Sequence, residues 1–418
     1  MKKTCILIVL LAGQLQLFSQ NKKSINDTFL EQLMKTKPEW FQEILAKRDS
    51  FNVQIIYTQI NRNKHNRPTF TDYTFNLNPQ HYFYPASTVK MPTAFLALEK
   101  LHELKSKGID KTTTMLTDSG YNKQDVVYTQ PNARDSRPTI ENYIKQVFLV
   151  SDNDAFNRLY EFLGQGYIRE KLKEKGYDSI VIRHRLERFL TPDQNAATNP
   201  VNFIDTSGKL IYRQPAQYNK NLYPSLNVRL GKAYYKGNVL VNEPLDFSYK
   251  NRLYLQDLKS LLQGILFPES VPVKKRFNFT KEDYNFVKHW MSAYPGESDF
   301  PNYDTTNYGD AYCKFLLFGA AKDKIPGNIR VFNKVGDAYG FLIDAAYIID
   351  TKNNVEFMLC ATISCSRDGI LNGGVYDYDG LGLPFMKHIG ELIYEYELKR
   401  TRKFPPDLRD FIIDYNIR

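Results

Sequence analysis

The chain is poor in cysteine, in paired histidine and in long apolar runs. Only four cysteines occur among 418 residues. Cys5 falls within the first twenty residues, which leaves Cys313, Cys360 and Cys365 for the folded part. An odd count in an oxidising compartment leaves at least one thiol free, and a disulfide framework is not expected. Cys360 and Cys365 have opposite parity along a predicted strand and should face opposite sides of a sheet. All three read as small buried hydrophobes. The six histidines (His65, His81, His102, His184, His289 and His388) show no pair at metal-ligand spacing. No metal and no other cofactor is expected. Asp377-Tyr378-Asp379-Gly380 is a fragment of a calcium loop and reads as a solvated turn. Sequence repeats are lacking. The net charge of +10 favours anionic surfaces. Yet no basic run is interleaved with aromatics, and the densest cluster is Lys274-Lys275-Arg276. A nucleic-acid partner is not expected.

The one apolar run near the start, Ile6 to Ala12, is too short to span a bilayer. Lys2 and Lys3 precede it, and Phe18-Ser19-Gln20 offers a cleavage region. Residues 1–20 read as an export signal, which leaves a periplasmic or extracellular chain without a stable membrane span. Cys5 comes too early to be lipid-modified at the cleavage site. What the sequence does have is apolar and aromatic mass: 42% hydrophobic residues, with 29 Tyr and 27 Phe. That suits a large folded core and argues against disorder.

Residues 29–48 read as helix interrupted near Pro38, followed by strands over 51–60 and 70–77. Val89, Met91, Ala94, Phe95, Leu98, Leu101 and Leu104 repeat near 3.6 spacing and predict a helix over 89–104. Pro92 is tolerated there because it falls in the opening turn. Two more helices are predicted over 139–150 and 154–163. Residues 200–250 are Tyr/Asn-rich, with short β-like pieces, and read as an insertion. Helices resume near 254–266 and 281–293. A meander follows, with strands over 330–335, 341–350 and 355–365, a turn over 336–340, and a closing helix over 386–397. Strands at both ends with helices between them predict one antiparallel sheet built from the two ends and a helical middle.

Three short strings carry the chemistry. In Ser87-Thr88-Val89-Lys90, the serine and lysine at i and i+3 share a helix face. A serine hydroxyl needs a base within hydrogen-bond reach. A desolvated lysine near other cations loses its proton more readily. Ser87 at a helix start also offers its N–H to an oxyanion. Ser151-Asp152-Asn153 lies at a helix junction. There Ser151 suits a proton relay between Lys90, Lys334 and a leaving group. Asn153 suits donation to a substrate carbonyl, and Asp152 suits holding the loop's backbone. Lys334-Val335-Gly336 opens the meander. Lys334 brings positive charge, Gly336 lets a ligand approach the strand, and the N–H of Asp337 is a second oxyanion donor.

In this order and context the strings resemble the class A β-lactamase family of serine hydrolases and the related penicillin-binding D,D-peptidases. The resemblance spans about residues 30–400. It implies an α+β fold, with a five-stranded antiparallel sheet flanked by helices beside an all-helical region. It also implies an acyl-enzyme on Ser87, with Lys90 as general base or proton carrier. The family's deacylating glutamate is matched by spacing at Glu187. In a second register, set by Arg185-Leu186-Glu187-Arg188, Leu190 takes that place and Asp193 is the nearest later carboxylate. The spacing match to Glu187 is preferred.

Two departures bear on the substrate. Val335 stands where relatives carry a hydroxyl that helps bind a β-lactam carboxylate. Asp337 puts negative charge where that carboxylate would sit. The expected protein is a monomeric serine hydrolase acting on a β-lactam or another small-molecule or cell-wall-derived amide or ester. The alternative is a non-catalytic cell-wall or glycan binder on the same scaffold, using the aromatic-rich insertion.

Overall fold

The structure, a computed structural model, describes residues 25–26, 28–120 and 125–415. The expected export signal and Cys5 lie outside the described residues. Gln54–Arg62 (β1) and Pro68–Phe75 (β2) form a hairpin. Ile329–Ala338 (β3), Phe341–Asp350 (β4) and Val355–Ser364 (β5) form the meander. β5 pairs antiparallel with β1, so the two ends of the chain meet in one sheet of order β2-β1-β5-β4-β3. The two-residue strand Ile25–Asn26 adds in parallel to β2 as a sixth member.

All ten residues of β4 are buried, because helices cover both faces of the sheet. Ile343, Ala345, Tyr347 and Ile349 point to the cluster shared with the helical region. Leu342, Ala346 and Ile348 point to the cluster under the terminal helices. The same parity places Cys360 in the first cluster and Cys365 in the second, on opposite faces as expected. Among the described residues all three cysteines are free and buried.

The helical region is built from Lys90–Leu104 (α1), Ile140–Leu149 (α2), Asn153–Leu163 (α3), Leu255–Leu266 (α4) and Lys281–Ser292 (α5). Leu383–Lys399 (α6) packs on the far side of the sheet. α1 is buried on nearly every side, which explains why its sequence lacks a polar face. Each large apolar side chain so buried contributes roughly 1.5–3 kcal/mol. Among the described residues no helix is long and apolar enough to cross a membrane.

The meander differs from expectation at one point. β3 runs on to Ala338, so Gly336 is inside the strand and the turn is only Tyr339-Gly340. Both turn residues have positive φ, 53° and 81°, the geometry of a tight primed turn that matches strand twist. The insertion is not detached. Its strand Val201–Ile204 pairs with Thr114–Thr117 on one side and with Leu210–Gln214 on the other, and Ala233–Lys236 pairs with Ile370–Leu371.

Candidate active site

Ser87 is the one partly exposed residue between Tyr82 and Leu101. It sits in the 3-10 turn Ala86–Val89 that leads into α1. Ala86 adopts φ 46°, a conformation that an alanine resists and that the surrounding packing imposes. Thr88 closes the turn by bonding back to the Pro85 carbonyl through Oγ1 at 2.6 Å. The hydroxyl of Ser87 therefore opens onto a cleft from an otherwise buried segment.

That cleft has a volume of about 700 Å³ and is also lined by Ser151, Asn153, Glu187 and Asp337. Lys90 is fully buried beneath it. Its ammonium donates to the Ser151 carbonyl, to Asn153 Oδ1 at 2.5 Å and to Ser151 Oγ at 3.3 Å. From the sheet side, Lys334 Nζ reaches the same Ser151 Oγ at 2.7 Å. Burial, and then the charge of Lys334, push the Lys90 ammonium well below its usual pKa. Burial brings Lys334 down to about 8. Ser151 holds φ 59°, which turns its hydroxyl between the two lysines, and Asp152 caps α3 through the Ala155 N–H at 2.7 Å. The backbone-holding role expected for Asp152 is the one observed.

Gly336 meets protein where a ligand was expected. A Cβ placed there would lie 2.8 Å from the Pro85 carbonyl oxygen and 3.0 Å from the backbone nitrogens of Ser87 and Thr88. The glycine lets the Ser87 turn dock directly on β3. β3 is an edge strand, so its outward N–H groups have no neighbouring strand to bond.

Glu187 faces the cleft from the loop that follows His184, whereas Asp193 is bonded to the Tyr218 hydroxyl at 2.5 Å and does not line the cleft. Of the two carboxylates, Glu187 is the one that lines the cleft. Several contacts position that loop. Asn157 of α3 bonds both backbone groups of Leu186, at 2.9 and 3.0 Å. Arg185 pairs with Glu161 at 2.6 Å, both side chains fully buried. His184 stacks on Tyr84 at 6.2 Å, and Tyr84 meets Tyr339 at 5.1 Å. Phe247, from the insertion, closes this aromatic cluster.

Val335 is buried in the apolar cluster with Leu342, Leu381 and Phe385. Asp337 is exposed to the cleft, yet ringed by protein. That enclosure raises its carboxyl pKa, while Lys334 and Lys90 oppose the rise.

The sequence reading missed one wall of the cleft. Tyr308, Tyr312 and Cys313, in a loop without periodicity, and Tyr378, ahead of α6, all line it. Behind them Lys314 bonds Asn333 Oδ1 at 2.8 Å, and Asn333 donates to Asp344 at 2.8 Å, anchoring that loop to the sheet. The buried polar residues Asn333 and Asp344 in otherwise apolar strands were the available signal. Among the described residues no group of side chains could hold a metal ion.

Residues 39–220 match the family model described as the Beta-lactamase enzyme family. That segment contains Ser87, Lys90, Ser151, Asn153 and Glu187; Lys334, Gly336 and Asp337 lie beyond it. No curated protein matches the chain. Among solved structures, the chain is similar to a β-lactamase from Sphaerobacter thermophilus, 12% identical over 85% of this chain and 94% of that one, with a TM-score of 0.44. It is also similar to a class A β-lactamase from Clostridium kluyveri, 15% identical over 86% of this chain and 98% of that one, TM-score 0.44. A β-lactamase from Xanthomonas campestris gives 13%, 86%, 98% and 0.45.

Proposed function

We propose that this chain, a β-lactamase-like serine hydrolase, is exported through residues 1–20 and cleaves an amide or ester through an acyl-enzyme on Ser87. The observation that carries the reading is the Ser151 hydroxyl held between Lys90 and Lys334, 3.3 and 2.7 Å away, in the cleft that Ser87 also lines.

In this mechanism Ser87 Oγ attacks the substrate carbonyl carbon, and its proton passes to the neutral form of Lys90, which burial and the charge of Lys334 favour. The N–H groups of Ser87 and Asp337 hold the oxyanion. Asn153, whose Oδ1 is engaged by Lys90, donates its amide N–H to the substrate. Ser151 relays the proton to the departing amine or alcohol, and the C–N or C–O bond breaks. Glu187 then takes a proton from water, whose oxygen attacks the acyl carbon; the acyl C–Oγ bond breaks, the acid leaves, and the proton held by Glu187 is returned to Ser87 Oγ.

Val335 offers no hydroxyl, and Asp337 repels a carboxylate. Both favour a substrate without an anion beside the scissile group over penicillin itself. Intact-mass measurement after exposure to activated esters and β-lactams tests the reading. The expected result is an adduct that maps to Ser87 and is lost in Ser87→Ala. An adduct that persists in that variant, or none with any probe, would overturn it.

A further inference from the structure

A second cavity, of about 450 Å³, lies across the Glu187 loop from the cleft. Glu187 lines the cleft, whereas Arg188 to Pro192 line this cavity, so the two share one wall. Arg183, Arg188 and Lys250 contribute cationic side chains to it, and among the described residues no carboxylate lines it. Arg188 is met at 2.7 Å by the exposed Asp125. Among the described residues Arg183 has no carboxylate partner.

Arg183 is only 5% exposed. Its Nη1 and Nη2 donate to the Ser248 and Pro224 carbonyls at 3.0 and 2.6 Å. Its Nε is buried and has no partner among the described residues. A buried cation without an opposing charge is costly unless something else supplies the anion. Lys250, bonded to the Tyr339 hydroxyl at 3.1 Å, adds a second positive group from the insertion's end. The guanidinium stands over the rings of Tyr223 and Tyr249. Tyr249 is 54% exposed and Phe189 fully so. Exposed aromatic faces bury the C–H face of a sugar ring. The volume falls in the range of small-molecule sites, about 300–1,000 Å³.

We infer that this cavity is a binding site for a carboxylate-bearing saccharide. The carboxylate is attracted by the Arg183 guanidinium, which has no carboxylate partner among the described residues, and is neutralised by Lys250, while the ring packs on Tyr249 and Phe189. One guanidinium charge and one ammonium suit a singly charged carboxylate better than a phosphate dianion. The site is separate from the acyl-serine chemistry and stands without it.

Calorimetric titration of the chain carrying Ser87→Ala with glucuronate, glucose and inorganic phosphate tests the site. Glucuronate is expected to bind at least tenfold more tightly than either of the others. Arg183→Gln, Lys250→Gln and Tyr249→Ala should each weaken it at least fivefold with unchanged melting. Arg183 also bonds two backbone carbonyls; if Arg183→Gln does not fold, the exposed Tyr249→Ala and Lys250→Gln carry the test. Glucuronate binding no tighter than glucose, phosphate binding equal to glucuronate, or full binding in both Lys250→Gln and Tyr249→Ala would each overturn the inference.

Discussion

Lys90 and Lys334 converge on one hydroxyl, their ammonium groups 3.3 and 2.7 Å from Ser151 Oγ. Two cations cannot comfortably share that place, and after burial it is the charge of Lys334 that weakens the hold of Lys90 on its proton. Lys90 comes from the first turn of α1 and Lys334 from β3, and only the docking of helix on sheet brings them together.

The first prediction concerns pH. Lys90 must be neutral to accept the Ser87 proton, so acylation should rise as pH climbs through its lowered pKa. Lys334 must stay charged, so the rate should fall again as it loses its proton near pH 8. Acylation by a neutral ester between pH 5 and 10 should trace a bell. Lys334→Arg should move the alkaline limb upward; a limb that stays at pH 8 would assign it elsewhere.

Gly336→Ala should be severe. The new methyl would meet the Pro85 carbonyl at 2.8 Å and displace the Ser87 turn. Overpacking of this kind costs about 1–3 kcal/mol, and a displacement of about 1 Å at a reacting group costs roughly 100-fold in rate. Thermal melting and acylation rate, measured together, check both parts.

Glu187→Gln should leave acylation nearly intact and make the adduct persist. Asn157→Ala, which frees Leu186 from α3, should produce a weaker version of the same trapping, with about 1–3 kcal/mol lost in stability. Time-resolved mass spectrometry distinguishes trapping from failure to acylate.

Asp337→Asn removes negative charge from the cleft. Repulsion between charges about 4 Å apart is on the order of 1–4 kcal/mol near a protein surface. The variant should therefore be acylated by penicillin roughly tenfold faster or more, with little change for neutral esters. Equal gains for both probes would mean that Asp337 does not read substrate charge.

His184 bears on stability rather than rate. Burial, the largest cause, lowers its pKa from 6.5 to about 3. Its Nδ1–H donates to the Arg185 carbonyl at 2.6 Å, while Nε2 accepts from the Asn251 N–H at 3.3 Å, so the folded ring is neutral. Below pH 6.5 the unfolded chain binds a proton that the folded one refuses. Stability should fall with acid by up to about 1.4 kcal/mol per pH unit, reaching its limit near pH 3. Denaturant midpoints across this range should show a shallower slope in His184→Gln than in the parent.

The strand pair, the first helix, the two-helix junction and the meander were all legible in the sequence because they rest on local periodicity and turn chemistry. The apolar spacing from Val89 to Leu104 and the opposite facing of Cys360 and Cys365 needed no partner to be read. The primed turn at Tyr339-Gly340 was set too early because a tyrosine with positive φ leaves no local mark. The wall formed by Tyr308, Tyr312 and Cys313 was invisible for a related reason: nothing in its own spacing says that Lys314 is tied to Asn333.

By itself the sequence determined which groups were available: a serine and a lysine one turn apart, a capping Ser-Asp-Asn, and a lysine two residues before a glycine. These are statements about neighbours along the chain. Only the tertiary structure decided that two lysines from distant segments share one hydroxyl, that Gly336 admits the Ser87 turn rather than a ligand, and that Glu187 rather than Asp193 faces the cleft. Each of these depends on close packing between elements far apart in sequence, where a single methyl group or carboxylate would change the outcome.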